Sequence, residues 1–436
     1  MKEIFWKIPP SNLEISHKLP QDKAVVVLLR HSVRDELPPG EAGYLLPITE
    51  QGHRLASELG NLWSKRLRTL RASPLLRCVQ TAEALREGAG GHLSVSPDKL
   101  LGDPGAFVLE SARAGANWER LGHEEVMAHL VGDPEALPGM AKPDEAARFL
   151  VQHMLAATSD EPGLHVFVTH DSLVTATAAR MLGKTLGSDD WPWYLEGAFF
   201  WREGTAVEVA YREHHGQREA PLCSLSEAEV IELARREIAW TLGLDSGARF
   251  FLAGGAFKSL LTGKPPRDLD LWAPSETDRN LLLRVLHERG AKPLPPRPFG
   301  EAFELRDRVI EVPHKYEPAS LQERLDRFDI ALSAVGVEFL PDHTCKCIIH
   351  PLAKESERRK EILLLKPLVN WRHALTTLER MRRYAAELHY SVPREEEAEV
   401  WRVFQSQSEE MKLGMMERFR RSCHGGFGVE EELGLV

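Results

Sequence analysis

The sequence predicts two α/β domains: an N-terminal three-layer α/β/α domain and a C-terminal α+β domain that ends in a helical tail. In the first half, apolar strand-like runs alternate with helix-like stretches, which is the pattern of a parallel sheet covered by helices on both faces. A polar stretch without periodicity follows Tyr211, and a second pattern of strands and helices begins after it. The length of 436 residues agrees with more than one domain, since domains span roughly 100 to 200 residues.

The first half supplies its elements in a regular order. The runs Ala24–Leu29 and His165–Val168 are continuous apolar segments, as expected for strands that are buried on both faces. Two aromatic or β-branched runs flank residues 202–204 and predict a hairpin at the sheet edge. The predicted helices span residues 49–70 and 78–86 and a stretch that ends at Leu182.

A domain boundary is predicted near residues 215–223. Ser224 and Glu227, which follow it, have the spacing of a helix capping box. We therefore expect a first domain over residues 1–220, a second domain over 221–350 and its helical tail over 351–436. The second domain has predicted strands over 248–254, 268–273, 302–305 and 308–312 and predicted helices over 256–261 and 276–289.

The charge balance argues against a protein that coats nucleic acid non-specifically. There are 55 basic and 65 acidic residues, for a formal net charge of -10. Residues 354–383 differ, because nine basic side chains there face four acidic ones. This segment is interpreted either as a solvated helix face with internal ion pairs or as a patch for RNA.

The N-terminus and the cysteines point to a cytoplasmic protein without a membrane partner. No apolar run is long enough for a signal peptide or a spanning helix. The five cysteines include no CxxC pair, which favours reduced thiols over a disulfide framework. Cys345 and Cys347, between His343 and His350, alternate as buried strand residues do, and this interpretation is preferred over a zinc site.

Chemically specific side chains follow three predicted strands in the first domain. His31 stands after the first strand between two arginines, and a second strand end supplies an arginine within the segment Ser73–Glu83. A neutral imidazole can attack phosphorus, and guanidinium groups can hold phosphate oxygens in forked hydrogen bonds. The residues that meet in this way are Arg30, His31, Arg34, Arg77, His170 and Asp171.

These residues resemble the histidine phosphatase superfamily over positions 20–212. The likeness rests on Arg30-His31, on the SPLxRxxQTA pattern that begins at Ser73, and on His170 after a later strand. It implies a metal-free phosphomonoesterase in which His31 is the phosphorylated nucleophile. The implied pocket consists of Arg30, Arg34, Arg77 and His170. Ser32 replaces the glycine that usually follows the histidine.

The resemblance also implies an acid that protonates the leaving oxygen. Arg34 and the pair His170-Asp171 are similar to the acid-phosphatase branch, so Asp171 is the expected proton donor. Glu110 and Glu124 are the alternatives.

A second group of functional residues lies in the C-terminal half. Gly254-Gly255 follows a predicted strand, and Asp268 and Asp270 lie in the next one. Alternate residues of a strand share a face, so both carboxylates can bind one divalent metal ion. Glycines at a helix start let backbone N–H groups approach a triphosphate. The combination favours metal-dependent nucleotidyl transfer.

This pattern resembles the polymerase-β-like nucleotidyltransferases, in particular the head domain of poly(A) polymerases and CCA-adding enzymes. The resemblance implies Mg²⁺ or Mn²⁺ on Asp268, Asp270 and a third carboxylate, for which Glu311 is the first choice and Asp329 the second. The nucleotide-binding residues it implies are Gly254, Gly255, Lys258, Ser259 and Asp329. Lys258-Ser259 replaces the usual Arg-Asp, and no Glu-Asp-x-x-Arg motif is found, so CCA addition itself is not predicted.

The two halves together predict a bifunctional enzyme. Its expected partners are a phosphomonoester, a nucleoside triphosphate and RNA. In this hypothesis the first domain removes a terminal phosphate from a nucleotide or an RNA end, and the second adds a nucleotide there. Two alternatives stay open: the second domain attaches nucleotide to a protein partner, or it only senses nucleotide.

Overall fold

The computed structural model describes residues 6–37, 43–295, 297, 299–422 and 427–434. The chain divides into two compact units, Met1–Cys223 and Ser224–Val436. Within the described ranges, no helix is long and apolar enough to cross a membrane.

The first unit contains a mixed sheet of seven strands among its described residues. The strands, in chain order, are β1 (Ala24–Arg30), β2 (Leu67–Ala72), β3 (Val95–Pro97), β4 (Gly163–Thr169), β5 (Gly197–Glu203), β6 (Ala206–Tyr211) and β7 (His214–Glu219). Their spatial order is β3-β2-β4-β1-β5-β6-β7. The strands β3, β2, β4 and β1 are parallel, and β5, β6 and β7 are added antiparallel.

Helices cover both faces of this sheet. They are α1 (Pro10–Lys18), α2 (Glu50–Trp63), α3 (Leu76–Gly88), α4 (Ser111–Gly132), α5 (Pro143–Ala156) and α6 (Asp171–Leu182). In β1, Val25, Val27 and Leu29 enter the core beneath α1, α2 and α3. Val26 and Leu28 enter the opposite core with α4, α5 and α6. Alternate side chains of one strand thus fill two cores, which confirms the three-layer prediction.

Two predicted elements of this unit are wrong. The helix predicted over 49–70 ends at Trp63, and β2 begins at Leu67, because Leu67–Ala72 pairs with β4 inside the sheet. The stretch after Tyr211 forms β7, which pairs with β6 from Tyr211↔His214 to Ala206↔Glu219. Its side chains are half-buried or exposed, so backbone pairing rather than apolar burial defines this edge strand.

The second unit has its own seven-stranded sheet in the described residues. The strands are β8 (Phe250–Ala253), β9 (Asp268–Trp272), β10 (Lys292–Pro293), β11 (Gly300–Leu305), β12 (Arg308–Pro313), β13 (Val335–Phe339) and β14 (Cys345–Ile349). The order is β10-β11-β12-β9-β8-β13-β14, with β9 and β12 parallel and the other pairs antiparallel.

The helices of this unit lie before, between and after its strands. They are α7 (Glu227–Thr241), α8 (Ser259–Thr262), α9 (Glu276–Glu288), α10 (Leu321–Leu325), α11 (Pro351–Arg359), α12 (Ala374–Leu388), α13 (Arg394–Gln405), α14 (Glu409–Ser422) and α15 (Val429–Glu432). The run from α11 to α15 confirms the helical tail, and the unit as a whole is α+β as predicted.

Local differences from the sequence prediction are small. The cap of α7 is Ser226, whose hydroxyl accepts from the backbone N–H of Glu229, so the predicted Ser224-Glu227 box is displaced by two residues. The helix predicted over 256–261 is a 3₁₀ turn over Gly255–Lys258 followed by the single turn α8. Cys345 and Cys347 lie in β14, as the strand interpretation predicted.

Candidate active sites of the two units

The strand ends of the first sheet bring its two predicted histidines together. Arg30 of β1 pairs in register with Thr169 of β4, so the next residue of each strand, His31 and His170, lies at the same sheet edge. The His31 backbone N–H donates to the Thr169 carbonyl at 2.8 Å. The two imidazole rings have their centroids 5.6 Å apart. Parallel strands thus place both rings in one pocket.

His31 is prepared as a nucleophile. Its side chain Nδ1 lies 2.8 Å from the Ser32 carbonyl, which can only accept a hydrogen bond, so Nδ1 carries the proton and Nε2 keeps its lone pair. The residue is 2% exposed. Burial, followed by the charges of His170 and two nearby arginines, holds the pKa of His31 well below its ordinary value. The ring is therefore neutral near pH 7.

Ser32 is accommodated where the superfamily usually has glycine. Its backbone N–H donates to the Thr81 hydroxyl at 2.9 Å, and its own hydroxyl donates to the Gly52 carbonyl at 2.7 Å. The buried hydroxyl is thus satisfied by α2. Thr81 belongs to the QTA part of the second motif, so that motif fixes the backbone beside His31.

Arg77 and His170 form a second contact at the same edge. An Arg77 guanidinium nitrogen lies 3.3 Å from His170 Nδ1. Since arginine can only donate, Nδ1 is the acceptor and Nε2, 3.3 Å from the Ser73 hydroxyl, carries the proton. Burial and then the charge of Arg77 lower the pKa of His170 to about 3. Arg77 also donates to the Gly43 carbonyl at 2.7 Å.

Asp171 is held by Arg30 rather than presented as a free acid. The ion pair is 2.9 Å long. Burial alone would raise the pKa of Asp171, but Arg30, His123 and the Ser172 N–H lower it below its ordinary value. A carboxyl that stays ionised is a poor proton donor. The geometry therefore favours a positioning role for Asp171 over the predicted role of proton donor.

Arg34, Glu110 and Glu124 are the remaining predicted residues of this site. Arg34 is half-buried and donates to the Asp35 carbonyl at 2.7 Å, and its charge lowers the pKa of His170. Glu110 pairs with Arg113 at 3.0 Å, and Glu124 is exposed on α4. Neither glutamate contacts the two histidines among the interactions described.

Sequence reasoning missed Tyr194 and Gly102. The Arg30 guanidinium lies 4.3 Å above the Tyr194 ring, and that ring lies 5.7 Å from His31. Gly102 has φ +152°, and a Cβ there would lie 2.7 Å from His170 Nε2. Both residues are on loops remote in sequence from the motifs, and neither stands in a recognisable pattern.

In the second unit, three predicted carboxylates share one face of the sheet. Asp268 and Asp270 are alternate residues of β9, and both are half-buried. Glu311 of β12 is the register partner of Asp270 across the parallel pair. Neighbouring residues in register point to the same side of a sheet, which places all three on that face.

Arginines already neutralise two of these carboxylates. Arg267 lies 3.1 Å from Asp268, and Arg297 pairs with Glu311. Burial and then the charge of Asp268 raise the pKa of Asp270 to about 7. In the described part of the chain, no three His, Cys, Asp or Glu side chains are grouped so as to hold a metal ion. The arrangement offers two convergent carboxylates, with Glu311 one strand away.

Asp329, the second choice for the third carboxylate, is used elsewhere. It is 5% exposed, and its carboxylate pairs with Arg380 and accepts from the Thr377 hydroxyl, both on α12. Asp329 also accepts from the Ile330 N–H at 2.9 Å. With its acceptor sites occupied, Asp329 anchors α12 and is a poor candidate for a metal ligand.

The glycine turn lies directly beside Asp270. Gly254 has φ +116°, and a Cβ there would lie 3.2 Å from Asp270 Oδ2, so only glycine gives the backbone this approach. A Cβ at Gly255 would lie 2.7 Å from the Tyr384 hydroxyl.

Lys258 and Ser259 follow this turn. Lys258 pairs with Glu387, and its ammonium lies 4.0 Å from the centre of the Tyr384 ring. Ser259 is buried at the start of α8.

A cleft of about 590 Å³ lies beside some of these groups. Asp270, Glu311 and Asp329 line it, together with aromatic and cationic side chains from β9, α10 and α12. The cleft therefore presents carboxylates and cations together to a ligand.

Comparison with known proteins bears on the first unit directly. Residues 26–193 match the model of the histidine phosphatase superfamily, branch 1. The N-terminal domain belongs to the histidine phosphatase superfamily. The matched branch differs from the acid-phosphatase branch suggested by His170-Asp171, so the branch prediction is wrong. The histidine phosphatase domain therefore lends no branch-specific support to Asp171 as the acid.

Solved structures with likeness to the C-terminal part of the chain include tRNA-processing enzymes. An apo tRNA-processing enzyme is 20% identical, covering 45% of this chain and 57% of that chain, with a TM-score of 0.33. A tRNA nucleotidyltransferase complexed with a primer tRNA and an incoming ATP analog is 20% identical, covering 45% and 61%, also with a TM-score of 0.33. The Thermotoga maritima CCA-adding enzyme is 13% identical, covering 45% and 50%, with a TM-score of 0.31.

The chain thus spans between half and two thirds of the length of these structures. The search of curated proteins gives no significant match. The histidine phosphatase superfamily, named from the sequence motifs of the first half, recurs in the family comparison.

Proposed function

We propose that the histidine phosphatase domain hydrolyses phosphomonoesters through a phosphohistidine at His31. The observation that carries the proposal is the neutral His31 ring, whose Nδ1 is engaged by the Ser32 carbonyl and whose centroid lies 5.6 Å from that of His170. A free Nε2 lone pair in a cationic pocket is the arrangement that in-line attack on a phosphate dianion requires.

The reaction takes two displacements. In the first, His31 Nε2 forms a bond to phosphorus while the bond from phosphorus to the leaving oxygen breaks, and that oxygen takes up a proton. In the second, a water oxygen attacks phosphorus, the N–P bond breaks, and inorganic phosphate leaves. Arg30, Arg77 and His170 hold the phosphoryl oxygens, where charge develops in both transition states.

Asp171 acts in this proposal by fixing Arg30. The 2.9 Å ion pair and the hydrogen bond from Arg30 to the Pro192 carbonyl at 2.6 Å hold the guanidinium from two sides. The leaving-group proton then comes from another carboxyl near the pocket mouth. Asp103, which follows Gly102 and accepts from the Tyr44 hydroxyl at 3.1 Å, is tested beside Glu110 and Glu124.

Rapid-quench labelling tests the phosphohistidine directly. Protein mixed with a ³²P-labelled phosphomonoester in the presence of EDTA should carry a phosphoryl group that is stable to base and labile to acid. Label that is absent from wild type, or that persists in His31→Ala, would refute the proposal.

For the second unit, we propose metal-dependent nucleotidyl transfer at Asp268 and Asp270. Support comes from the raised pKa of Asp270, to about 7, which burial and the neighbouring Asp268 charge cause. A divalent cation relieves that repulsion, and oxygen donors of this type fit Mg²⁺ or Mn²⁺. Such a metal, when bound, would neutralise charge on the triphosphate. The chain itself brings the Gly254 backbone against Asp270 and so forms the floor on which a phosphate can rest.

Incorporation of α-labelled nucleotide tests this activity. Purified protein is incubated with each nucleoside triphosphate, with Mg²⁺, Mn²⁺ or EDTA, and with RNA ending in a 3′-hydroxyl or a 3′-phosphate. Extension of both RNAs, with the 3′-phosphate end requiring His31, would support the combined reaction. Label on a protein acceptor instead supports the regulatory alternative, and metal-independent binding without transfer supports the sensing alternative.

A further inference from the structure

Arg324 is a buried cation for which the described chain supplies no acidic partner. It lies on α10 and is 6% exposed. Its guanidinium stacks 4.0 Å from the centre of the Trp272 ring and donates one long hydrogen bond, 3.3 Å, to the Pro318 carbonyl. Its Nε is buried and has no hydrogen-bond partner. Arginine is almost never fully buried unless it is paired, so a ligand is the natural missing partner.

The electrostatics around Arg324 point to an anion. Burial, followed by the charge of Arg327, lowers the pKa of Arg324 to about 10. The guanidinium still carries its proton near pH 7, but the charged form is destabilised there. A negative group within contact distance would reverse both effects.

The surroundings of Arg324 supply two more available cations. Arg327 and Lys315 line the same cleft as Arg324 and Trp272. Among the described residues neither is part of an ion pair. The other cleft arginine, Arg380, is by contrast engaged by Asp329. In the part of the chain that the structure describes, the cleft lining therefore holds three cations without an ion pair, Arg324, Arg327 and Lys315, together with the acids Asp270, Glu311 and Glu317.

Trp272, on which Arg324 stacks, lies close to the carboxylates. Trp272 stands two residues after Asp270 and on the same face of β9, which is a separation of about 7 Å along a strand. A ligand that stacks its anionic group on Arg324 can thus reach Asp270 with a neighbouring group. Asp270, when ionised, repels an anion, so the anion is directed towards Arg324.

We propose that Arg324, Arg327 and Lys315 form a phosphate-binding subsite in this cleft that works without metal. It deepens the proposed nucleotidyl transfer by assigning the place of a substrate phosphate, and in that sense it rests on that function. The phosphate belongs either to a polyphosphate chain or to a single phosphomonoester. Forked donation from a planar guanidinium suits both.

Calorimetry in EDTA with the full-length chain tests the subsite. The probes are inorganic pyrophosphate, ATP and AMP, and the variants are Arg324→Met and Arg324→Lys. Methionine keeps an apolar stem against Trp272 and removes the charge, whereas lysine keeps the charge and loses the fork. Arg284→Met, at an exposed position of α9, is the matched control.

We expect Arg324→Met to bind pyrophosphate at least about tenfold more weakly than wild type, as loss of a charged hydrogen bond implies, with Arg324→Lys intermediate and Arg284→Met unchanged. Trp272 fluorescence should change on pyrophosphate addition in wild type and not in Arg324→Met. A loss seen with ATP and pyrophosphate alone assigns a polyphosphate chain, and a loss with all three probes assigns a single phosphate; both support the subsite. Thermal unfolding checks that each variant is folded.

Equal pyrophosphate affinity in wild type and a folded Arg324→Met, or no pyrophosphate binding by wild type, would overturn the subsite. The proposed transfer is judged separately, by nucleotide incorporation in Mg²⁺. Incorporation that Asp270→Asn abolishes, with pyrophosphate binding indifferent to Arg324, would refute the subsite alone. Pyrophosphate binding that depends on Arg324, with no incorporation under any metal, would refute the transferase alone.

Discussion

The two sites of this chain treat charge in opposite ways. The phosphatase pocket gathers Arg30, Arg77 and two neutral histidines, and Asp171 beside them is held by Arg30. The cleft of the second unit places carboxylates on a sheet face and pairs two of them with arginines. A pocket of the first kind receives a dianion directly. In a cleft of the second kind, Asp270 has no ion-pair partner among the described residues, and a bound divalent cation would neutralise it.

The largest expected effect is on the first site. His31→Ala removes the nucleophile, so hydrolysis of an aryl phosphate in EDTA should fall by roughly three decades or more. The histidine follows a strand end and is not part of an apolar core, so the thermal midpoint should change little. Initial rates and thermal unfolding measure both.

The control for this variant is His53→Ala, on α2, where the imidazole is about half exposed and pairs with Glu87. It should hydrolyse the aryl ester at the wild-type rate. Hydrolysis that persists in His31→Ala would show that the pocket uses another nucleophile. The contrast drawn above between the two sites would then be wrong.

The next largest effect is expected from the carboxylates of the second site. Their loss should lower nucleotide transfer and leave phosphomonoester hydrolysis unchanged. Asp268→Asn or Asp270→Asn should lower metal-dependent nucleotide incorporation by about two decades, because one charged metal ligand is lost. Phosphatase activity, assayed in EDTA, should stay at the wild-type level.

Asp245→Asn, at an exposed acid paired with Arg289, serves as the control for this pair and should leave both activities intact. If calorimetry finds nucleotide binding metal-independent and equal in all three variants, the carboxylate pair is not a metal site. The sensing alternative would then replace the enzymatic one.

Asp171→Asn distinguishes positioning from proton donation. Since Asp171 holds Arg30, its loss should slow aryl and alkyl esters alike, by roughly tenfold. A proton donor would instead give a selective loss on alkyl esters, whose leaving oxygen needs protonation.

The same two substrates applied to Asp103→Asn, Glu110→Gln and Glu124→Gln identify the acid as the variant with a selective alkyl loss. A selective loss in Asp171→Asn would restore the assignment that the sequence predicted.

The pKa values of the two pocket histidines give a smaller but direct test. Burial lowers both, so each ring is neutral above its folded-state pKa and should show no titration between about pH 5 and 8, where an ordinary histidine changes charge. Acidification should therefore lower the free energy of unfolding. The two histidines take up protons near pH 6.5 in the unfolded chain but stay neutral in the folded pocket at that pH.

Histidine ring resonances of the free protein, assigned with His31→Ala and His170→Ala, measure this titration. A midpoint near 6.5 for either pocket ring would mean that the pocket is hydrated and its cations are screened.

The smallest effect is expected in the basic segment 354–383. Three of its arginines are already paired: Arg358 with Glu355 at 2.6 Å, Arg359 with Glu361 at 2.7 Å and Arg382 with Glu397 at 2.9 Å. Paired arginines release few counterions, so Arg359→Gln should change the salt slope of RNA binding by less than about one unit. Filter binding across a salt series measures it. A larger change would mark this face as an RNA-binding surface.

Sequence reasoning located the first site because its geometry follows from local rules. Strand ends of a parallel sheet meet at one edge, so His31 and His170 could be placed together from two motifs far apart in the chain. Alternation in β9 likewise put Asp268 and Asp270 on one face. These predictions needed only the period of a strand and the direction of its neighbours.

Other features depended on contacts between residues far apart in the chain, which no sequence pattern encodes. Asp329 looked available as a carboxylate, but Arg380 and Thr377 arrive from α12 to occupy it. Asp171 stays a candidate acid, but its ion pair with Arg30 could not be predicted from the sequence. The polar stretch after Tyr211 became β7 because β6 offered it a free edge, and its side chains gave no hint of this.

The contacts that α12 makes with the second site limit where this half of the chain can be truncated. Arg380 and Thr377 hold Asp329, and Tyr384 and Glu387 hold Lys258. A chain cut after residue 350 would remove the partners of Asp329 and of Lys258 together. The helices at the end of the chain therefore belong with the sheet of this unit, and the two should be expressed and redesigned as one piece.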